Sequence, residues 1–322
     1  MCLMNNKAHS ASAVMDEKGQ LAVALPANQS MPLMIKLLFY GVAPIVAPIF
    51  VSYKLIADKS YRSATFSLYS LVNNATKSSC AEEWYFQDVG LLNKLWKLPS
   101  AAAYIMKSSS DKVSGNQTSD DIEGGDIPLL EYQVREGYCG SATQRCILKS
   151  LGYPSDSIPD QKRGESKPDL WCKHVKQITE ESSHGDDETE IVTKIVYGSD
   201  VTYEQFLSTL REALSNPNCR VCCNYLRSAL TGFELTGLWR FHPVFTLLKL
   251  YGGHFSPILG MLEQDEEAEQ DNPFIAIFDT NHKYDGAYFI PCRRLYEAVS
   301  SIDIGSKKSR AIILVEKKSR TS

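Results

Sequence analysis

Four residues have the types and spacing that nucleophilic catalysis needs: Gln133, Cys139, His254 and Asp279. Cys139 stands in "REGYCGSATQRCILKSLGY", where residues 138–151 fit a helix with the thiol in its first turn and Ala142, Cys146 and Ile147 on one face. The thiolate, not the thiol, is the nucleophile. Both the positive end of a helix and a nearby imidazolium lower a thiol's pKa. Gly137 and Gly140 flank the cysteine with little bulk, so a substrate carbonyl can approach. His254, in "GGHFSPILGML", would carry the proton to a leaving amine. Asp279 closes "PFIAIFDT" and would fix the imidazole tautomer. The Gln133 amide and the Cys139 backbone N–H would donate to an oxyanion. Taken singly, these residues have ordinary readings: a packed small thiol, a backbone-bonded histidine, an aspartate capping a turn. It is their order on suitable elements that points to catalysis.

The rest of the composition narrows the classes. The chain has 322 residues, 43% of them hydrophobic, and a formal charge of −4. That length can bury a sizeable core, and the charge gives no basic stripe for nucleic acid. The nine cysteines are scattered, and no CxxC…CxxC or Cys/His run gives zinc spacing. Cys222 and Cys223 are adjacent, so on a strand they point to opposite faces and chelate poorly. Mostly reduced thiols imply a cytosol-like compartment. Cys219, Cys222 and Cys223 leave open a non-catalytic metal- or partner-binding reading. Cys146 reads as core, and His242 and His282 as loop or surface residues.

Four regions follow one another along the chain. Residues 1–30 are expected to be disordered. Residues 31–60 hold an apolar segment, uncharged from 37 to 53, which reads as a membrane anchor, a buried helical hairpin or a docked apolar arm. In a helix, Pro44 and Pro48 would kink it. Residues 61–127 are expected to be helical and to end in a mobile polar loop. The catalytic domain is expected over 128–322. Within it the stretch 155–190 reads as a polar loop, and the acidic run that ends it, "ESSHGDDETE", as a solvated insertion. Thr202 and Gln205 form a capping box for a helix with an apolar stripe of Phe206, Leu207, Leu210 and Leu214. "CRVCCNYL", "GHFSPILGML", "PFIAIFDT" and "SRAIILVEK" read as strands and "RRLYEAVSSI" as a helix, an α+β arrangement.

Three stretches, "QVREGYCG", "GGHFSPILG" and "FIAIFDTNHKY…FIP…LYEAVSSID", resemble the phytochelatin synthases, glutathione γ-glutamylcysteinyltransferases of the papain-like cysteine peptidase clan. "NYLRSALTG" is similar to the strand and loop that precede the family's histidine, and the likeness covers roughly residues 128–316. The resemblance implies a papain-like fold with Cys139 as nucleophile, His254 as base, Asp279 as orienting acid and Gln133 in the oxyanion hole. Tyr138, Gly140, Gly253, Ser256, Arg227 and Tyr284 are the candidate substrate-binding residues. The family's segment after the aspartate carries an Arg for a substrate carboxylate. "DTNHKY" has none, which leaves Arg227, Lys283, Arg293 or Arg294 to supply that charge.

The implied reaction cleaves the Cys–Gly bond of glutathione and passes γ-Glu-Cys to a second glutathione or to water. Cadmium, zinc or copper ions would arrive as metal–glutathione thiolates, so no fixed cofactor is expected. A peptidase acting on another peptide or on glutathione S-conjugates is the alternative within the clan. A cytoplasmic enzyme, either anchored through 37–53 or free, and either monomer or homodimer, fits this reading.

Overall fold

The computed structural model describes residues 15, 20–26, 41–77, 87–106, 127–163, 167–182, 189–231, 251–263, 272–284 and 286–319. The expected polar loop at 107–127 lies outside these residues except for Ile127. So do residues 183–188 of the acidic run, and His242.

The described helices are α1 (Ala43–Ala57), α2 (Lys59–Lys77), α3 (Val89–Leu95), α4 (Pro99–Ala102), α5 (Cys139–Ser150), α6 (Pro168–Ser182), α7 (Tyr203–Ser215), α8 (Ser228–Thr231) and α9 (Cys292–Ser300). The strands are β1 (Ile105–Met106), β2 (Ile127–Pro128), β3 (Thr189–Tyr197), β4 (Cys219–Leu226), β5 (Gly253–Leu262), β6 (Phe274–Phe278), β7 (Ala287–Pro291) and β8 (Ala311–Ser319). β1 and β2 make a small antiparallel pair. The other six form one antiparallel sheet in the order β3-β8-β4-β5-β6-β7.

The sheet has helices on both faces, and strand alternation sorts the side chains between them. On one face Cys222, Phe255, Leu259, Phe278 and Ile313 pack against Cys146 and Ile147 of α5, Trp171 and Val175 of α6, and Leu92 and Leu95 of α3. On the other, Val221, Cys223, Ile277 and Ile312 meet Leu68 and Val72 of α2, Phe206 and Leu210 of α7, and Leu295 and Val299 of α9. β4 is buried along its whole length, as a central strand covered on both faces must be. The molecule is therefore α+β, with an antiparallel sheet at its centre.

Local chemistry explains the element boundaries. α7 starts at the expected capping box: Thr202 accepts from the Gln205 backbone N–H, and the Gln205 side chain accepts from the Thr202 N–H. A register shift between Ile258 and Gly260 turns Gly260 toward Leu95, Leu98 and Ser100, which would crowd any added Cβ.

Two expectations need correction. The stretch 155–190 is not a polar loop as a whole. Residues 168–182 form α6, whose Trp171, Cys172, Val175 and Ile178 are buried at helical spacing, and residues 189–197 form β3. Nor are residues 1–30 disordered throughout. Leu21 joins the core, and the buried Gln20 amide makes two hydrogen bonds to Ala287: its Nε2 donates to the carbonyl (2.7 Å) and its Oε1 accepts from the N–H (2.9 Å). Gln20 thus pairs with edge strand β7 as a neighbouring backbone would.

Candidate active site

The segment leading into α5 sets the position of the thiol. Gln133 donates its backbone N–H to the Thr280 carbonyl at 2.6 Å, fixing this segment to the loop after β6. The chain then turns through Gly137, whose φ of +85° is open to glycine at little cost. Tyr138 follows as N-cap, and Cys139 is the first residue of the helix. Its Sγ therefore lies at the positive end of the α5 dipole. The Gly140 carbonyl accepts from Trp171 Nε1 at 3.0 Å, and the indole lies parallel to the Phe255 ring with centroids 6.1 Å apart. Trp171 thereby joins the nucleophile helix to the residue after the histidine.

β5 and β6 are adjacent and antiparallel, which puts His254 beside Asp279. His254 Nε2 lies 2.9 Å from Asp279 Oδ1, and the Cys139 thiol is near enough to the ring for each to shift the other's pKa. Asp279 Oδ1 further accepts from the Asn281 N–H at 2.8 Å. Its other oxygen faces Arg227 Nη1 at 3.3 Å, and the guanidinium stacks on the Tyr284 ring. The result is a row of four groups in alternating sign: Arg227⁺, Asp279⁻, His254⁺, Cys139⁻.

Each charge answers its neighbour. Burial pushes the Cys139 thiol up. The His254 charge, its hydrogen bond to the sulfur and a backbone hydrogen bond from Phe255 outweigh burial, so the thiol lies below its ordinary value. Burial pulls His254 down, but Asp279 and the Cys139 thiolate raise it to about 10. Burial would raise Asp279, yet His254 and Arg227 hold it below the usual carboxylate value. Both shifts run in the direction that favours a thiolate–imidazolium pair.

The structure brings Gln133, Cys139, His254 and Asp279 into one neighbourhood. Gln133 is buried, its Oε1 has no partner among the described residues, and its Nε2 makes only a 3.5 Å contact with Glu136. Its amide is therefore held loosely enough to turn a donor toward a developing oxyanion. Glu136 also accepts from Lys283 Nζ (3.0 Å) and Asn281 Nδ2 (3.3 Å), bridging the rims on either side of the site.

The candidate substrate residues separate. Tyr138 is half-buried beside the thiol, and Gly253 is exposed next to His254. Gly140 is buried in the helix, with its carbonyl engaged by Trp171. Ser256 is fully buried, with its hydroxyl 3.4 Å from the Tyr225 hydroxyl, so it supports β5 and cannot touch a substrate. Arg227 and Tyr284 act behind the aspartate: the guanidinium compensates Asp279 rather than standing free for a carboxylate. Arg293 lies over Tyr203, and the buried Arg294 pairs with Glu297, both at α9 on the far face. Lys283 is an exposed cation on the rim itself, paired with Glu136.

Trp171 was not expected from the sequence, nor was the place of Arg227 behind the aspartate. Trp171 could have been found from the 171, 175, 178 apolar spacing. Arg227's pairing with the aspartate depends on strand register, which the sequence does not display. The remaining described thiols are core groups. Burial pushes Cys146 up to about 12 and Cys172 and Cys219 up to about 11, and Cys222 and Cys223 lie in opposite layers. Among the described residues no group of three or more His, Cys, Asp or Glu could hold a metal ion. The sequence matches no protein-family model and no curated protein.

Proposed function

We propose that the chain is a papain-like cysteine acyltransferase that cleaves the Cys–Gly bond of glutathione and transfers γ-Glu-Cys to a second glutathione or to water. The observation that carries this reading is the alternating row ending in a depressed thiol at a helix N-terminus. Such a row stores a nucleophile and its proton donor together. The glutathione assignment rests on the sequence resemblance around Cys139, His254 and Asp279.

The steps follow from the groups present. The Cys139 thiolate attacks the carbonyl carbon of the Cys–Gly amide. The Gln133 amide and the Cys139 N–H, itself one of the unpaired donors at the start of α5, receive the negative charge on oxygen. His254 gives its proton to the glycine nitrogen, the C–N bond breaks, and a γ-glutamylcysteinyl thioester remains. The now neutral His254 takes a proton from the incoming amine or water. That nucleophile displaces Sγ, and the thiolate–imidazolium pair is restored. Asp279 holds the ring and its tautomer throughout, with Arg227 holding Asp279. Cadmium and similar ions enter as glutathione thiolates, that is, as substrate.

Incubation with glutathione, with and without cadmium, followed by mass spectrometry, tests the proposal. Free glycine together with (γ-Glu-Cys)n-Gly or γ-Glu-Cys is expected from the wild type and neither from Cys139→Ala. Glycine release at the wild-type rate by Cys139→Ala refutes the proposal. Cleavage of ordinary α-peptides with glutathione untouched would replace the substrate and keep the chemistry.

A further inference from the structure

The catalytic reading makes no use of α1, the most exposed apolar element of the described chain. Val42, just before it, and Ile45, Val46, Ile49, Phe50, Tyr53 and Ile56 are all more than half exposed, from 52% at Val42 to 81% at Ile56. At about 100° per residue these seven side chains fall within an arc of roughly 140°. They form one continuous stripe along a 15-residue helix about 22 Å long. Ala43, Ala47, Val51 and Leu55, on the opposite side, are half-buried, and α1 packs on α2. The helix thus turns one apolar face to the protein and another outward. Pro44 falls in its first turn and Pro48 inside it, so the segment is helical despite both prolines.

The charge around the stripe identifies its partner. Residues 37–53 carry no charge, and from 37 to 77 there are four bases (Lys54, Lys59, Arg62, Lys77) and one acid, Asp58. That is a formal +3 in a chain whose total is −4. The Asp58 carboxylate is already engaged, accepting from Ser60 N–H (3.0 Å), Ser60 Oγ (2.7 Å) and Tyr61 N–H (3.1 Å). Lys54 lies 5.8 Å from the Phe50 ring centroid, its stem along the apolar stripe and its ammonium at the edge. α2 adds exposed Phe66 and Tyr69.

A protein partner would need hydrogen-bonding groups at about one per 100–200 Å² of contact. Between Val42 and Ile56 the exposed side offers only the Ser52 and Tyr53 hydroxyls. An aliphatic and aromatic stripe ending in Tyr and Lys is what a bilayer interface accepts. No described helix is long and apolar enough to cross a membrane.

We infer that α1 lies in the surface of an anionic phospholipid bilayer, its Val42–Ile56 stripe among the acyl chains and Lys54, Lys59 and Arg62 at the headgroups. The inference is independent of the catalytic chemistry.

The test is flotation of the full chain with vesicles of phosphatidylcholine alone or with 30% phosphatidylserine, alongside light scattering without lipid. Ile49→Glu/Phe50→Glu places two charges on exposed positions and leaves both core layers intact. Retained circular dichroism and glycine release show that it has folded. The expected result is at least tenfold more wild-type protein floating with the serine-containing vesicles than without vesicles, with that gain lost in Ile49→Glu/Phe50→Glu and reduced several-fold in Lys54→Glu/Arg62→Glu. No flotation with either vesicle overturns the inference. A dimer in the absence of lipid that the Ile49→Glu/Phe50→Glu change dissolves would then assign the stripe to a second copy. Equal flotation of the wild type and Ile49→Glu/Phe50→Glu also overturns it, because binding would lie elsewhere.

Discussion

Asp279→Asn tests the alternating row at its centre. The substitution keeps the shape and an acceptor for His254 and Asn281 but removes the charge that stands between two cations. Asp279 is the first of the groups that raise His254 to about 10 from its usual 6.5, against a burial effect in the opposite direction. Without it the imidazole loses its proton well below that value. The thiol then loses the neighbour that outweighs its own burial and moves from below 9.0 to above it. Removing Asp279 also relieves a direct repulsion on the thiolate, but that is the smaller effect, last among the causes acting on Cys139. Each unit of thiol shift cuts the thiolate fraction near neutral pH about tenfold.

Breaking a buried pair while leaving the Arg227 cation in place costs about 3–5 kcal/mol. For a chain of 322 residues that is roughly a 4–7 °C fall in Tm. The sign of the pH effect follows from the two shifts. Asp279's contribution is present above its ordinary 3.8 and lost as pH falls. His254's is full below 6.5 and lost as pH rises through about 10. The Tm gap between wild type and variant is therefore widest near pH 5–6 and narrows toward pH 10. The assay is the rate of Cys139 alkylation by iodoacetamide against pH, read by peptide mass spectrometry so that the core thiols do not interfere. An unchanged alkylation midpoint in a folded variant refutes the argument.

Three further outcomes follow from the same geometry. Gln133→Ala is expected to lower kcat roughly 10²–10³-fold with Cys139 alkylation unchanged, because the amide serves only the oxyanion; steady-state glycine release measures this. Trp171→Phe removes the donor to the Gly140 carbonyl but keeps a ring against Phe255, and calorimetry should show a loss of about 1–3 kcal/mol with a raised Cys139 alkylation midpoint. Thr202→Ala breaks the capping box of α7 and should cost about 1 kcal/mol in urea unfolding without altering turnover.

The site was legible where chemistry and local pattern coincide. Cys139 at a helix start, His254 on a strand and Asp279 at a strand end could be placed because each sits at the boundary of a strongly patterned element. Cys222 and Cys223 could be assigned to opposite faces from the two-residue period alone. Arg227 was harder: its role depends on Leu226 lying opposite Gly253, a register fixed by long-range pairing. The polarity of 155–190 hid α6, because its exposed Lys, Gln and Glu outnumber the four apolar residues that pack. Ser256 looked available within "GHFSP", and it shares the His254 side of β5, yet it is fully buried against Tyr225, where no substrate reaches.

The Gln20 contact affects how the chain can be shortened. Trimming an apparently featureless leader back to residue 27 would strip the amide that occupies Ala287, leaving that carbonyl with only the longer Gln87 contact at 3.2 Å and its N–H open. A bare outer strand recruits strands from other molecules. Such a trimmed protein is expected to clump at concentrations the intact one tolerates, although nothing around Cys139 has changed.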